Sequence, residues 1–158
     1  MKRLVAILLL ATIAAGCTAK RPLGVIVLPM ERLTPQYRDQ YTGLTSPARL
    51  VVEEARSFEE IWSRAFGTYQ PPPPLPDVDF AREVVIVAAL GEPSTGGYLI
   101  RVTGAIATSA GVLVAVESTA PAGCAVSAAQ TQPLDIVKIP RRARTFRFEE
   151  SSVARRCR

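Results

Sequence analysis

The chain has 158 residues, 48% hydrophobic and 21% charged, with a formal net charge of +5, which suits one globular domain with enough apolar content for a core. It contains no histidine. That excludes Ser-His-Asp and Cys-His nucleophile systems, imidazole general bases and most zinc sites.

Residues 1–16 read as a leader. Lys2 and Arg3 precede an apolar run over residues 4–15, too short to span a bilayer core of about 30 Å as a helix but matching the core of a secretory signal. Ala15 and Gly16 stand directly before Cys17, as in a bacterial lipoprotein cleavage box, with Ala14 where Leu is usual. Cleavage there makes Cys17 the acylated N-terminus and ties the chain to a lipid bilayer; an ordinary signal peptide cut nearby is the alternative. Thr18 follows the cysteine, which in a Gram-negative host directs such proteins to the outer membrane, facing the periplasm or the surface. Loss of Lys2 and Arg3 lowers the basic count from 19 to 17 against 14 acids, a net charge of +3. The excess lies late, in a basic C-terminal tail that includes Arg155, Arg156 and Arg158. An exported chain without aromatic residues interleaved among its cations is not expected to bind nucleic acid.

Residues 17–22 form a tether and residues 23–158 the folded domain. The apolar run 25–28 reads as an edge strand or a packing anchor. Residues 30–41 hold no period and contain Pro35, so a loop is expected. Residues 48–54, ARLVVEE, predict a strand. Residues 57–66, SFEEIWSRAF, predict a helix with Ser57 as N-cap and Glu60 completing a capping box. Phe58, Ile61, Trp62 and Ala65 make one apolar stripe, and Gly67 stops the helix. Trp62, the sole tryptophan, is read as core packing and not as a ligand platform. The four prolines 71–74 predict a stiff extended bridge.

Residues 84–90, VVIVAAL, are an unbroken apolar run rich in β-branched residues, the pattern of a strand covered on both faces. Gly91, Pro93, Gly96 and Gly97 then force a turn. The result is one small-residue loop, Glu92, Pro93, Ser94, Thr95, Gly96, Gly97 and Tyr98, at the end of the central strand. Residues 98–108 and 112–116 alternate as a hairpin. LDIVKI (residues 134–139) and RTFRFE (residues 144–149) predict the last two strands. The expected class is α+β: a single domain with a mostly antiparallel sheet of about six strands and one covering helix.

Ser94 and Thr95 have no visible base, since only Lys20 and Lys138 remain as lysines beyond the leader. The carboxylate pairs Glu53/Glu54, Glu59/Glu60 and Asp77/Asp79 are sequence neighbours, best read as solvated surface. The loop GEPSTGG lacks the lysine and spacing of a phosphate-binding loop. A noncatalytic chain without metal or cofactor is therefore expected. With Cys17 assigned to lipid, Cys124 and Cys157 remain in an oxidising compartment, where they either form a disulfide or stay as two free thiols.

QYTGL (residues 40–44), the SFEEIW helix, VDF (78–80), VVIVAALGEPSTGGYLIRV, PAGCAV (121–126) and QPLDIVKIP (132–140) occur in one order that resembles the PrcB-like domain family. The resemblance spans roughly residues 23–148. It implies an exported, often lipid-anchored domain of the kind named for a small subunit that associates with and stabilises a surface protease. PSTGGY (93–98) is also similar to the loop by which chagasin-type inhibitors wedge into cysteine protease clefts, although this chain has an extra glycine and no match to the other inhibitor loops. The expectations are thus a protein-binding accessory subunit of a protease complex, a protease inhibitor using residues 93–98, or an envelope domain whose glycine loop is only a turn.

Overall fold

A strand that is apolar on both faces needs cover on both. The computed structural model, which describes residues 24–35, 41–142 and 145–156, supplies it. In chain order the elements are β1 (Ile26–Val27), β2 (Glu31–Arg32), β3 (Ala48–Val52), α1 (Ala55–Phe66), β4 (Glu83–Ala89), β5 (Leu99–Thr108), β6 (Gly111–Ala122), β7 (Leu134–Pro140) and β8 (Phe146–Arg156). They form two four-stranded sheets, β1-β5-β6-β8 and β2-β7-β4-β3. The α+β class holds, with eight strands where about six were expected and two stacked sheets where one was.

Strand β4 is the central slab. Val84, Ile86 and Ala88 point into the space between the sheets, against Ile100, Val102, Val112, Val114 and Val116. Val85, Val87 and Ala89 point the other way, onto α1 through Phe58, Trp62, Ala65 and Phe66. The order of layers is therefore helix, sheet, sheet, and the alternation along β4 fills both interfaces.

Helix α1 starts earlier than its sequence suggests. It begins at Ala55 with Glu54 at the N-cap, which makes no side-chain cap hydrogen bond, so Ser57 lies inside the helix and the expected capping box is absent. The stripe is as read for Phe58, Trp62 and Ala65, with Phe66 joining them in place of the half-buried Ile61. Trp62 stacks edge-on to Phe66 at a centroid distance of 4.5 Å. Its indole Nε1 donates to the Pro73 carbonyl at 3.1 Å, so the proline run is held against the helix.

Two further expectations are corrected. Glu31 and Arg32, expected in a loop, pair with Lys138 and Val137 as a short edge strand. The last strand, expected to end at Glu149 with a basic tail after it, continues through residues 150–156 as β8, which runs parallel to β6 from Val112↔Phe146 to Ala122↔Arg156. Apart from that pair, the strand partners are antiparallel.

Candidate functional site

The loop between β4 and β5 begins with two constraints. The Leu90 amide donates to the Pro133 carbonyl at 3.0 Å. Gly91 then takes φ +86°, where an added Cβ would lie 2.9 Å from Pro47 Cδ; only glycine fits that backbone and that space. Glu92 follows on the surface, and its carboxylate accepts from the Gln132 amide. The buried Gln132 side chain also accepts from the Gly43 N–H at 2.7 Å through Oε1, while its backbone carbonyl accepts from Thr42 Oγ1 at 3.1 Å. Three separate stretches of chain meet at this one amide.

The second half of the loop lies along residues 126–131. The Gly96 N–H donates to the Ser127 carbonyl at 3.0 Å, and Thr131 Oγ1 donates to the Thr95 carbonyl at 3.4 Å. A Cβ on Gly96 would sit 2.6 Å from Ser127 Oγ. Gly97, again at φ +86°, passes so close to Val126 that a Cβ would be 2.9 Å from its Cγ1. Glu92, Ser94 and Gly97 are exposed; Pro93, Thr95 and Tyr98 are half-buried, and Gly96 is buried. The residues expected to form one loop are thus together, laid against the body of the domain.

Open space lies on both sides of it. A cleft of about 370 Å³ is walled by Pro47, Leu90, Glu92, Pro93, Tyr98 and the β6 segment Ser118–Ala120. A second, of about 350 Å³, is bounded by Gly97, Pro121, Cys124, Val126 and Arg155. The arrangement is a fixed backbone ridge with a recess of mixed polar and apolar lining on one side and the Arg155 cation on the other. Among the described residues, no group of three or more Cys, Asp or Glu side chains is placed to hold a metal ion.

An ion pair between a buried acid and a partly exposed arginine lies at the sandwich edge, away from the loop. Asp135 on β7, 1% exposed, accepts from Arg32 Nε at 2.8 Å and Nη2 at 3.1 Å, from Thr34 Oγ1 at 3.0 Å, and from the Val102 N–H at 2.8 Å. Arg32 Nη2 also donates to the Val102 carbonyl at 2.9 Å. The β5–β6 register shifts between Val102 and Gly104, a bulge, and β1 reaches β5 only at Ile106 and Ala107. The Arg32–Asp135 pair therefore bonds the open edge of Val102 as a neighbouring strand would. The hydrogen bond to Asp135 holds the Arg32 pKa above its usual value.

Neither Gln132 nor Asp135 was singled out from the sequence. The available signal was one acid inside the otherwise apolar LDIVKI and one amide directly before it.

Cys17 and Cys157 lie outside the described residues. The Cys124 Sγ lies 3.5 Å from the Arg155 carbonyl oxygen, two residues before Cys157 in the chain.

Comparison with known families matches residues 84–140 to the family described as PrcB C-terminal. No curated protein and no solved structure matches the chain. The matched segment runs from β4 to the end of β7 and so contains both the loop and the residues 126–132 that brace it.

Proposed function

Because the chain carries a PrcB-like domain over residues 84–140, we propose that it is a noncatalytic accessory protein, anchored in the cell envelope through acylated Cys17, that binds a protease or a complex containing one. The observation that carries this reading is the braced ridge over residues 92–98. Its backbone is held in place before any partner arrives, through Ser127, Thr131 and Gln132, and pre-ordered loops bind without the entropy loss of ordering on contact. Thr95 and Gly96 face the body of the domain, which favours docking over a broad contact rather than insertion as an inhibitor wedge.

Ser94 is the exposed side chain to alter, since changing it disturbs neither the glycines nor the hydrogen bonds that brace the loop. Co-purification from membranes compares the intact chain with Ser94→Arg. Loss of the partner in the variant is the expected result, and equal recovery removes the loop from the interaction. Adding the purified chain to the recovered protease separates the two roles: an accessory subunit prolongs its activity, whereas a wedge inhibitor suppresses it. The mass of the detergent-extracted protein tests the anchor, since a mature N-terminus without acyl mass overturns it.

A further inference from the structure

The outer edge of β8 is a long strand edge without a strand partner among the described residues, because β8 ends its sheet and residues 149–156 are all exposed. Exposed edges of this length are templates for strand pairing, and proteins ordinarily blunt them. Which groups this edge presents follows from its pairing with β6. The Val112 N–H donates to the Thr145 carbonyl, so residue 145 faces β6. The register then runs without a break to Arg156, and backbone groups alternate sides along a strand. Odd-numbered residues therefore bond toward β6. The Ser118 Oγ bond to the Ser151 carbonyl and the Cys124 contact at the Arg155 carbonyl lie on that same side. Glu150, Ser152, Ala154 and Arg156 turn their N–H and C=O outward.

The side chains along this edge read acid to base: Glu149 and Glu150 at one end, Arg155 and Arg156 at the other. We infer that two copies of this chain pair antiparallel through their β8 edges about a two-fold axis at Ser152. An isologous contact brings each patch against its own copy. An antiparallel pair matches residues of the same orientation, which places Ser152 opposite Ser152, Ala154 opposite Glu150, and Arg155 opposite Glu149, twice over. Arg156 falls diagonal to Glu150 on the other face of the ribbon. A second copy fits because the charge order reverses along the strand; the same edge set parallel to itself would oppose like charges. The Arg49–Glu150 bridge at 3.0 Å stays within each copy. The inference uses neither loop 92–98 nor its partner.

Sedimentation equilibrium of the full chain in nonionic detergent tests it. The chain is expected to be a dimer. Arg155→Glu puts like charges opposite each other at two places and is expected to weaken dimerisation about tenfold or more, and Glu149→Arg/Arg155→Glu restores it. Ala154→Pro removes an outward N–H while leaving the β6 ladder intact, and is expected to give monomers. Ser152→Cys is expected to crosslink across the axis, since directly opposed Cα atoms lie ~5.5 Å apart, within disulfide range. A wild-type chain that stays monomeric, or a dimer that neither Arg155→Glu nor Ala154→Pro weakens, overturns the inference. Occupation of the edge by another protein's strand while the chain alone is monomeric overturns it as well. Partner recovery in the loop experiment is read separately and does not depend on this outcome.

Discussion

Asp135 shows how one residue can hold two sheets. Its carboxylate sits on β7, yet it bonds the Val102 N–H on β5 as well as Arg32 on β2. Arg32 keeps a third of its side chain in solvent, so removing the Asp135 charge leaves no buried cation behind, and the loss falls on the hydrogen bonds to the buried carboxylate. Asp135→Asn is expected to lower stability by about 1.5–3 kcal/mol. Denaturant unfolding with an unchanged slope and a lower midpoint is the readout. Asp79 behaves differently, lying on the surface. Hydrogen bonds from Arg82, first, and from the Ala81 N–H hold its carboxyl below its ordinary value. A depressed acid stabilises the fold above its unfolded pKa and loses that contribution as pH falls through the folded one. Asp79→Asn is therefore expected to be slightly less stable than the native chain near neutral pH and to converge with it as pH falls through the folded-state pKa, as read from unfolding midpoints across a descending pH series.

At the scale of elements, α1 has an improvable end. Glu54 occupies the N-cap without a side-chain bond, although Asp, Asn and Ser are the residues that satisfy the first free N–H groups. Glu54→Asp is expected to stabilise the protein by about 0.5–1 kcal/mol. Ser57→Ala is expected to be near neutral, because Ser57 is not the cap; thermal unfolding of both variants checks the assignment. This helix also shows what sequence patterns reveal and what they miss. Phe58, Trp62 and Ala65 were legible because a stripe at spacings of three and four has one meaning, but the starting turn was not, since ARSF continues the helix backward without a capping residue to mark it. The double-sided burial of β4 was legible from an apolar run too short for a helix, and the loop after it from its glycines. By contrast, β2 is two charged residues made a strand only by pairing with β7. The second half of β8 is exposed and charged, so no alternation survives to announce it. Gln132 and Asp135 were missed for a related reason: their importance lies in partners 40 or more residues away, as with Glu92 and Arg32.

Across the whole molecule, polar side chains join the two sheets at two places: Arg32 and Asp135 tie β2 and β7 to β5, and Arg49 on β3 reaches Glu150 on β8. Both contacts report on the sandwich edges. Within one sheet, the region around Cys124 gathers the far ends of β6 and β8, and the 3.5 Å approach of its Sγ to the Arg155 carbonyl puts the segment just before Cys157 within reach of the loop after β6. A bridge between Cys124 and Cys157 would close a loop of about 30 residues and contribute roughly 3 to 4 kcal/mol on the chain-entropy account. The consequence falls on β8, since residues 149–156 are exposed and held to the body mainly by their ladder with β6. Reduction, or Cys124→Ser, is therefore expected to lower global stability by about that amount and to release the end of β8 to proteolysis before the sheets open. Peptide mapping after alkylation under denaturing, non-reducing conditions decides the pairing: a linked peptide joining residues 124 and 157 is expected, and free, alkylated thiols at both positions would rule it out.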